Sequence, residues 1–160
     1  MKNLAIAALG LVSLTLTSLA DAQQMRVPYG SALTLDMARK CVAAAVAESR
    51  KNNWNMAIAV VDTGGHLVAF ERMDNTQIGS VRVALDKAET ANNFRRPTKA
   101  LEDAVAGGRN ALLALRGATP LEGGVPLTLD GKIIGAIGVS GELSGQDAQA
   151  ARACADNLGK

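Results

Sequence analysis

PLTLDGKIIGAIGVSGELSGQD, residues 126–147, decides the fold, because it fixes two strands, the turn between them and the start of a helix. Asp130-Gly131 is the dipeptide a type I′ turn prefers, since both central residues take positive φ there. It separates Leu127–Leu129 from the apolar run Lys132–Val139 and predicts a hairpin. Ser144, with Asp147 three residues on, reads as an acidic variant of the capping box that opens a last helix. The apolar face of that helix is Ala148, Ala151, Cys154, Ala155 and Leu158.

The glycines of the second strand raise a chemical question. Gly135, Gly138 and Gly141 are spaced G-x-x-G-x-x-G, which is not the dinucleotide fingerprint, and a hairpin stands where that fingerprint needs a βαβ unit. No Gly-Lys-Ser/Thr follows for a P-loop. A nucleophile elbow at Ser140 would need glycine where Glu142 stands, and the chain has one histidine to act as base. Two glycines inside one strand mark close approach of another backbone or of a flat ligand. The Ser140-Gly141 turn and the N-terminus of the last helix offer N–H groups as an anion site.

Working outward, Thr34 is an N-cap for a helix over Leu35–Lys51, whose apolar positions Leu35, Ala38, Cys41, Val42, Ala45 and Val46 recur at helical spacing. Met56–Val61 is a continuous apolar run and predicts a central strand, and Leu67–Arg72 returns after Asp62-Thr63-Gly64-Gly65 as its hairpin partner. Ile78–Phe94 repeats apolar residues every three or four positions and predicts a helix that ends before Pro97. Thr98 caps a shorter helix to Ala106, stopped at Gly107-Gly108, and Asn110–Leu115 adds a further turn. Helix, hairpin, helices, hairpin, helix is the order of an α+β layered domain with an antiparallel sheet.

Composition sets the boundaries. Lys2 precedes the apolar run Leu4–Leu19, which ends in Ala20-Asp21-Ala22, the pattern of a secretory leader cut before Gln23. Residues 1–22 are therefore expected to be cleaved, 23–33 to form an arm, and 34–160 to form one domain, with the protein periplasmic or secreted and not held in a membrane. A net charge of +2 over 160 residues gives no reason to expect a nucleic-acid partner. Export would permit a disulfide, but Cys41 and Cys154 each lie on a predicted apolar helix face and read as small core residues. Four aromatic residues, Tyr29, Trp54, Phe70 and Phe94, leave Ala, Val, Ile and Leu to fill the interior, so the helices must lie close to their neighbours.

VDTGGHLVAFERMD (61–74), ALDKAETANNF (84–94) and GGVPLTLDGKIIGAIGVSG (123–141) followed by QD (146–147) resemble the GlcG/HbpS family of haem-binding or haem-degrading domains. The resemblance runs from about Leu33 to Leu158. It implies a profilin-like layered fold, self-assembly into dimers or larger rings, and haem or a related tetrapyrrole as ligand of an exported carrier, scavenger or sensor component. An enzyme that degrades haem, or acts on a small carboxylated metabolite with Lys87 and the Gly123-Gly124-Val125-Pro126 turn lining its site, is the alternative. A scaffold without a small ligand is the third reading.

Haem requires an axial donor, an apolar slot and partners for its propionates. His66, the one imidazole, is the first axial candidate, with Tyr29, Met73 and Cys41 in reserve. Arg72, Arg82 and Lys87 are the cations nearest the motifs, with Arg95 and Arg96 as a second pair. Gly123, Gly124, Pro126, Gly135, Gly138 and Ser140 complete the expected ligand-binding set. Asp62, Glu71 and Asp74 could serve a hard cation or act as acid and base, although Asp62 and Asp74 also suit turns.

Overall fold

The strand Ala57–Asp62 (β1) is buried along its length because it has a neighbour on each side and helices on both faces. The computed structural model describes residues 26–158, so the expected leader lies outside the described residues. After the helix Leu35–Lys51 (α1), β1 pairs with Leu67–Arg72 (β2), and there follow the helices Gly79–Phe94 (α2) and Lys99–Ala106 (α3). A 3-10 turn, Asn110–Ala114, leads to the hairpin of Gly124–Leu129 (β3) and Lys132–Ser140 (β4), and the helix Ser144–Ala155 (α4) closes the domain. The sheet is antiparallel throughout, in the order β2-β1-β4-β3. This is the expected α+β architecture.

The two faces of the sheet differ in side-chain size. Ile58 lies opposite Val139 and Val60 opposite Ile137, and this bulky face meets Val42, Ala45 and Val46 of α1 and Ala150 and Ala151 of α4. On the other face Ala57 lies opposite Ser140, Ala59 opposite Gly138 and Val61 opposite Ala136. Ala84, Ala88 and Ala91 of α2 pack there. Removing each large aliphatic side chain from water contributes about 1.5–3 kcal/mol. The small face gains instead from dense contact between backbones.

Local signals behave largely as their chemistry requires. The Thr34 hydroxyl accepts from Met37 N–H at 3.2 Å as the N-cap of α1. Asp130 and Gly131 both take positive φ, 49° and 70°, as a type I′ turn demands. β3 starts earlier than the sequence indicates and includes Pro126, which an edge strand tolerates because its missing N–H need not pair. Two caps differ. Ser144 begins α4 itself, with Leu143 as cap and Gln146 Oε1 accepting from Leu143 N–H at 3.1 Å. Thr98 Oγ1 accepts from Gly124 N–H at 2.9 Å instead of capping α3.

The arm has a structural role. Pairing of β1 with β4 stops at Asp62 opposite Gly135, leaving the β4 backbone at 133 and 134 open on that side. Residues 28–33 fill the gap, with Ile133 N–H donating to Pro28 O at 2.8 Å, Gly30 N–H to Ile133 O at 2.7 Å and Leu33 N–H to Ile134 O at 2.8 Å.

Cys41 and Cys154 form a disulfide between α1 and α4, with Cα atoms 4.6 Å apart. The reading of both as separate core thiols is thereby corrected. An apolar helix face suits either role, and only the packing of α1 on α4 brings together positions 113 residues apart. Closing so long a loop restricts the unfolded chain. Reduction, or the double substitution Cys41→Ala with Cys154→Ala, is expected to lower stability by about 2–5 kcal/mol. Urea unfolding with and without reductant measures this; equal midpoints would show that the bridge contributes nothing.

Candidate functional site

The structure places protein against each glycine of the expected ligand set, Gly123, Gly124, Gly135 and Gly138. A Cβ on Gly138 would overlap Ala84 O and Ala88 N of α2. One on Gly135 would overlap Val61 O and the Leu33 side chain, and one on Gly124 would overlap Lys87 O and the Thr98 methyl. Gly123, at φ 128°, would bring a Cβ within 2.8 Å of Lys87 Nζ. Of the two readings of Gly135 and Gly138, the close approach of protein is the one the geometry shows, with α2 against Gly138 and β1 and the arm against Gly135.

Lys87 is not a solvated cation. Only 2% of its side chain is exposed, and Nζ lies 2.7 Å from Asp147 Oδ2 and donates to Val139 O at 3.1 Å. The reach is possible because Gly123 leaves room beside Nζ. Asp147 Oδ1 accepts from Glu142 N–H at 3.1 Å, so both carboxylate oxygens are engaged. Burial raises the Asp147 carboxyl above its ordinary value, with Lys87 and the N–H groups of Glu142 and Gly141 acting in the opposite sense. Ser140 is also interior, its hydroxyl 3.1 Å from that of Ser80. Lys87, Gly123, Gly124, Gly138 and Ser140 thus lie together at one end of the sheet as a packed polar interior, without an open face.

The opposite end is open. His66 stands in the β1–β2 turn with 83% of its side chain exposed. Asp62 shapes that turn, its Oδ1 accepting from Gly64 N–H at 2.8 Å and His66 N–H at 2.9 Å. His66 Nδ1 lies 3.4 Å from the same oxygen, which leaves Nε2 directed away from the carboxylate. Desolvation pushes the Asp62 carboxyl up, but the two N–H donors and the imidazole outweigh it and hold the group below its ordinary value. Asp62 is therefore ionised at neutral pH.

The C-terminal end of α2 supports this turn. Asn92 Nδ2 donates to Thr63 O at 3.1 Å, and the Tyr29 hydroxyl donates to Asn92 O at 2.7 Å. Arg95, the left-handed cap of α2, lies over the Tyr29 ring at 5.5 Å. Asn92 Oδ1 is, among the described residues, a buried side-chain oxygen without a donor. None of these links is visible in a sequence pattern beyond the pair Asn92-Asn93 in the last turn of α2.

The remaining candidates do not converge. Arg72, at the far end of β2, is exposed, Pro126 is half-buried opposite Ala136, and Arg82 pairs with Asp86 at 2.7 Å. Arg96 Nε donates to Phe94 O. Met73 packs against the main core and Cys41 is in the disulfide, so neither offers an axial donor. Glu71 and Asp74 sit at the opposite end of β2 from Asp62, and among the described residues no group of three His, Cys, Asp or Glu side chains is placed to hold a metal ion. No described helix is long and apolar enough to cross a membrane.

With this geometry in hand, the chain can be set beside known proteins. A family model described as "Haem degrading protein HbpS-like" matches residues 33–156. Protein GlcG of Escherichia coli K12 is 48% identical over 108 residues, which cover 68% of this chain and 81% of that protein. The crystal structure of HbpS matches at a TM-score of 0.76 and 35% identity, over 82% of this chain and 93% of that one. The crystal structure of a PduOC–haem complex matches at 0.72 and 28% identity, over 78% and 94%.

Removing one member of the interior ion pair leaves the other buried and unpaired. Lys87→Met is expected to lower stability by about 3–5 kcal/mol, whereas Lys87→Met with Asp147→Leu recovers most of the loss. Urea midpoints of the two variants test this, and a double variant no more stable than the single one would refute it.

Proposed function

The chain belongs to the HbpS-like family, and from that membership we propose that it is an exported protein that binds haem or a related tetrapyrrole, with His66 as axial ligand. The observation that carries the reading is the His66–Asp62 arrangement. A metal-bound imidazole commonly keeps a carboxylate at its other nitrogen, which fixes the tautomer and raises basicity. Here Asp62 stands at Nδ1, and Nε2 is left for iron. Bound haem would supply iron for ligation and redox chemistry, while Arg95 at the same end of the molecule is the first partner for a propionate.

Export is supported by the leader-like segment 1–22 and by the Cys41–Cys154 disulfide, since such bridges persist in oxidising compartments. An enzyme acting on a small carboxylated metabolite with Lys87 in its site is disfavoured, because that residue is engaged by Asp147 and Val139 inside the protein. Self-assembly is part of the same proposal. β2 is an edge strand, and Leu67 and Phe70 on it are 50% and 38% exposed, with Ile78 nearby in sequence at 83%.

Titration of the purified protein with hemin is expected to give a saturable Soret shift. His66→Ala should change the bound spectrum, and Asp62→Asn should weaken binding about tenfold. No saturable shift removes haem; an unchanged spectrum in His66→Ala moves the axial ligand elsewhere. Loss of the Soret band under reductant and air, faster than for free hemin, would replace carriage by degradation. Sedimentation equilibrium is expected to show an oligomer that Phe70→Glu dissociates, and a monomeric parent protein would end the assembly proposal.

A further inference from the structure

A cleft on the bulky side of the sheet, at the β3 edge opposite β2, has no part in the reading above. It has a volume of about 300 Å³ and lies between α1, the tip of the β3–β4 hairpin and the end of α4. Met37, Ala44, Leu129, Leu158 and the Cys41–Cys154 bridge form its apolar wall. A second hollow of about 280 Å³ shares Met37 and Leu129 with it and continues past Leu33 and Ile134 toward Lys132. The two hollows adjoin at Met37 and Leu129, and along this groove Leu129 is 39% exposed.

The charges along this groove are unequal. Lys40 and Asn157 line the first hollow, and among the described residues no carboxylate lines it and Lys40 enters no ion pair. Lys132 lines the second hollow and is likewise without an ion pair, although Asp130 of the same turn also lines it. An apolar wall with a few placed polar groups is the usual form of a small-molecule site. Single ammonium groups, one lining each hollow, with no guanidinium fork among the lining residues, match one carboxylate better than a phosphate, which favours several donors at once. We propose that the groove is a binding site for an elongated apolar monocarboxylate, its chain lying over Met37, Leu129 and the disulfide and its carboxylate at Lys40.

The disulfide gives the site a second property. It forms part of the wall and also joins the two helices that make the groove, so reduction should loosen the wall while leaving the β1–β2 turn unaltered.

The experiment is a titration of the protein, produced from the full chain, with decanoate, followed by the methyl signals of methionines labelled with carbon-13. The Met37 signal is expected to move saturably while that of Met56, buried in the core, stays in place. Lys40→Glu should weaken binding about tenfold, and Ala44→Phe should abolish the shift by filling the wall, with urea midpoints confirming that each variant is folded. Three results would overturn the proposal: no movement of Met37, equal binding of decyltrimethylammonium, or displacement of bound hemin by decanoate. The site stands even if hemin does not bind, because the Met37 signal reports the groove directly.

Discussion

The approach of α2 to the sheet governs the rest of the molecule. A side chain at Gly138 would overlap the α2 backbone, so this helix can lie directly on the β1–β4 face only because that position carries hydrogen alone. The same closeness brings Lys87 to the edge of the sheet, past Gly123, and into contact with Asp147 at the start of α4. The ion pair thus connects the helix on one face with a helix on the other. Isolated charges at such depth would be strongly destabilising, and here each has its opposite partner and backbone hydrogen bonds. Its value is one of position as much as energy, since it sets the first turn of α4 against α2.

This constraint explains which parts of the fold were legible in the sequence. Periodicity locates α1 and α2, the Asp130-Gly131 dipeptide locates the β3–β4 hairpin, and the order of elements gives the layered class. Each of these is a local property. The failures are properties of packing. Asp147 looks like a helix-capping acid because its spacing from Ser144 suits that role, while its actual partner is 60 residues away on α2. Cys41 and Cys154 look like core thiols for the same reason: a helix face reveals that a residue is inward, not what it meets there.

The candidate site was legible only in part. Of the three family-like stretches, those around His66 and around Gly123–Gly141 both read in sequence as ligand contacts. Folded, they have opposite character. The glycine-rich region is an interior joint whose small residues are required by α2, whereas the His66 turn is exposed and held by Asp62 and Asn92. A recurring motif therefore carries no label for packing or binding. Side-chain exposure separates the two, and exposure is a tertiary quantity.

Division of labour between the two ends of the sheet follows from these differences. At the α2–α4 joint every strong polar group already has a partner, so a ligand arriving there would have to displace an ion pair and two backbone contacts. At the other end, His66 stands exposed on a loop over a rigid base, which is where binding groups are commonly found. The arm at 28–33 belongs to that base, because it completes the β4 backbone where β1 stops and sets Tyr29 against Asn92 and Arg95. Anything that loosens the arm therefore acts on the His66 turn through Asn92 and leaves the Lys87–Asp147 joint in place. The packed joint and the exposed His66 turn lie at opposite ends of one sheet and of one helix, since α2 carries Lys87 to the first and Asn92 to the second.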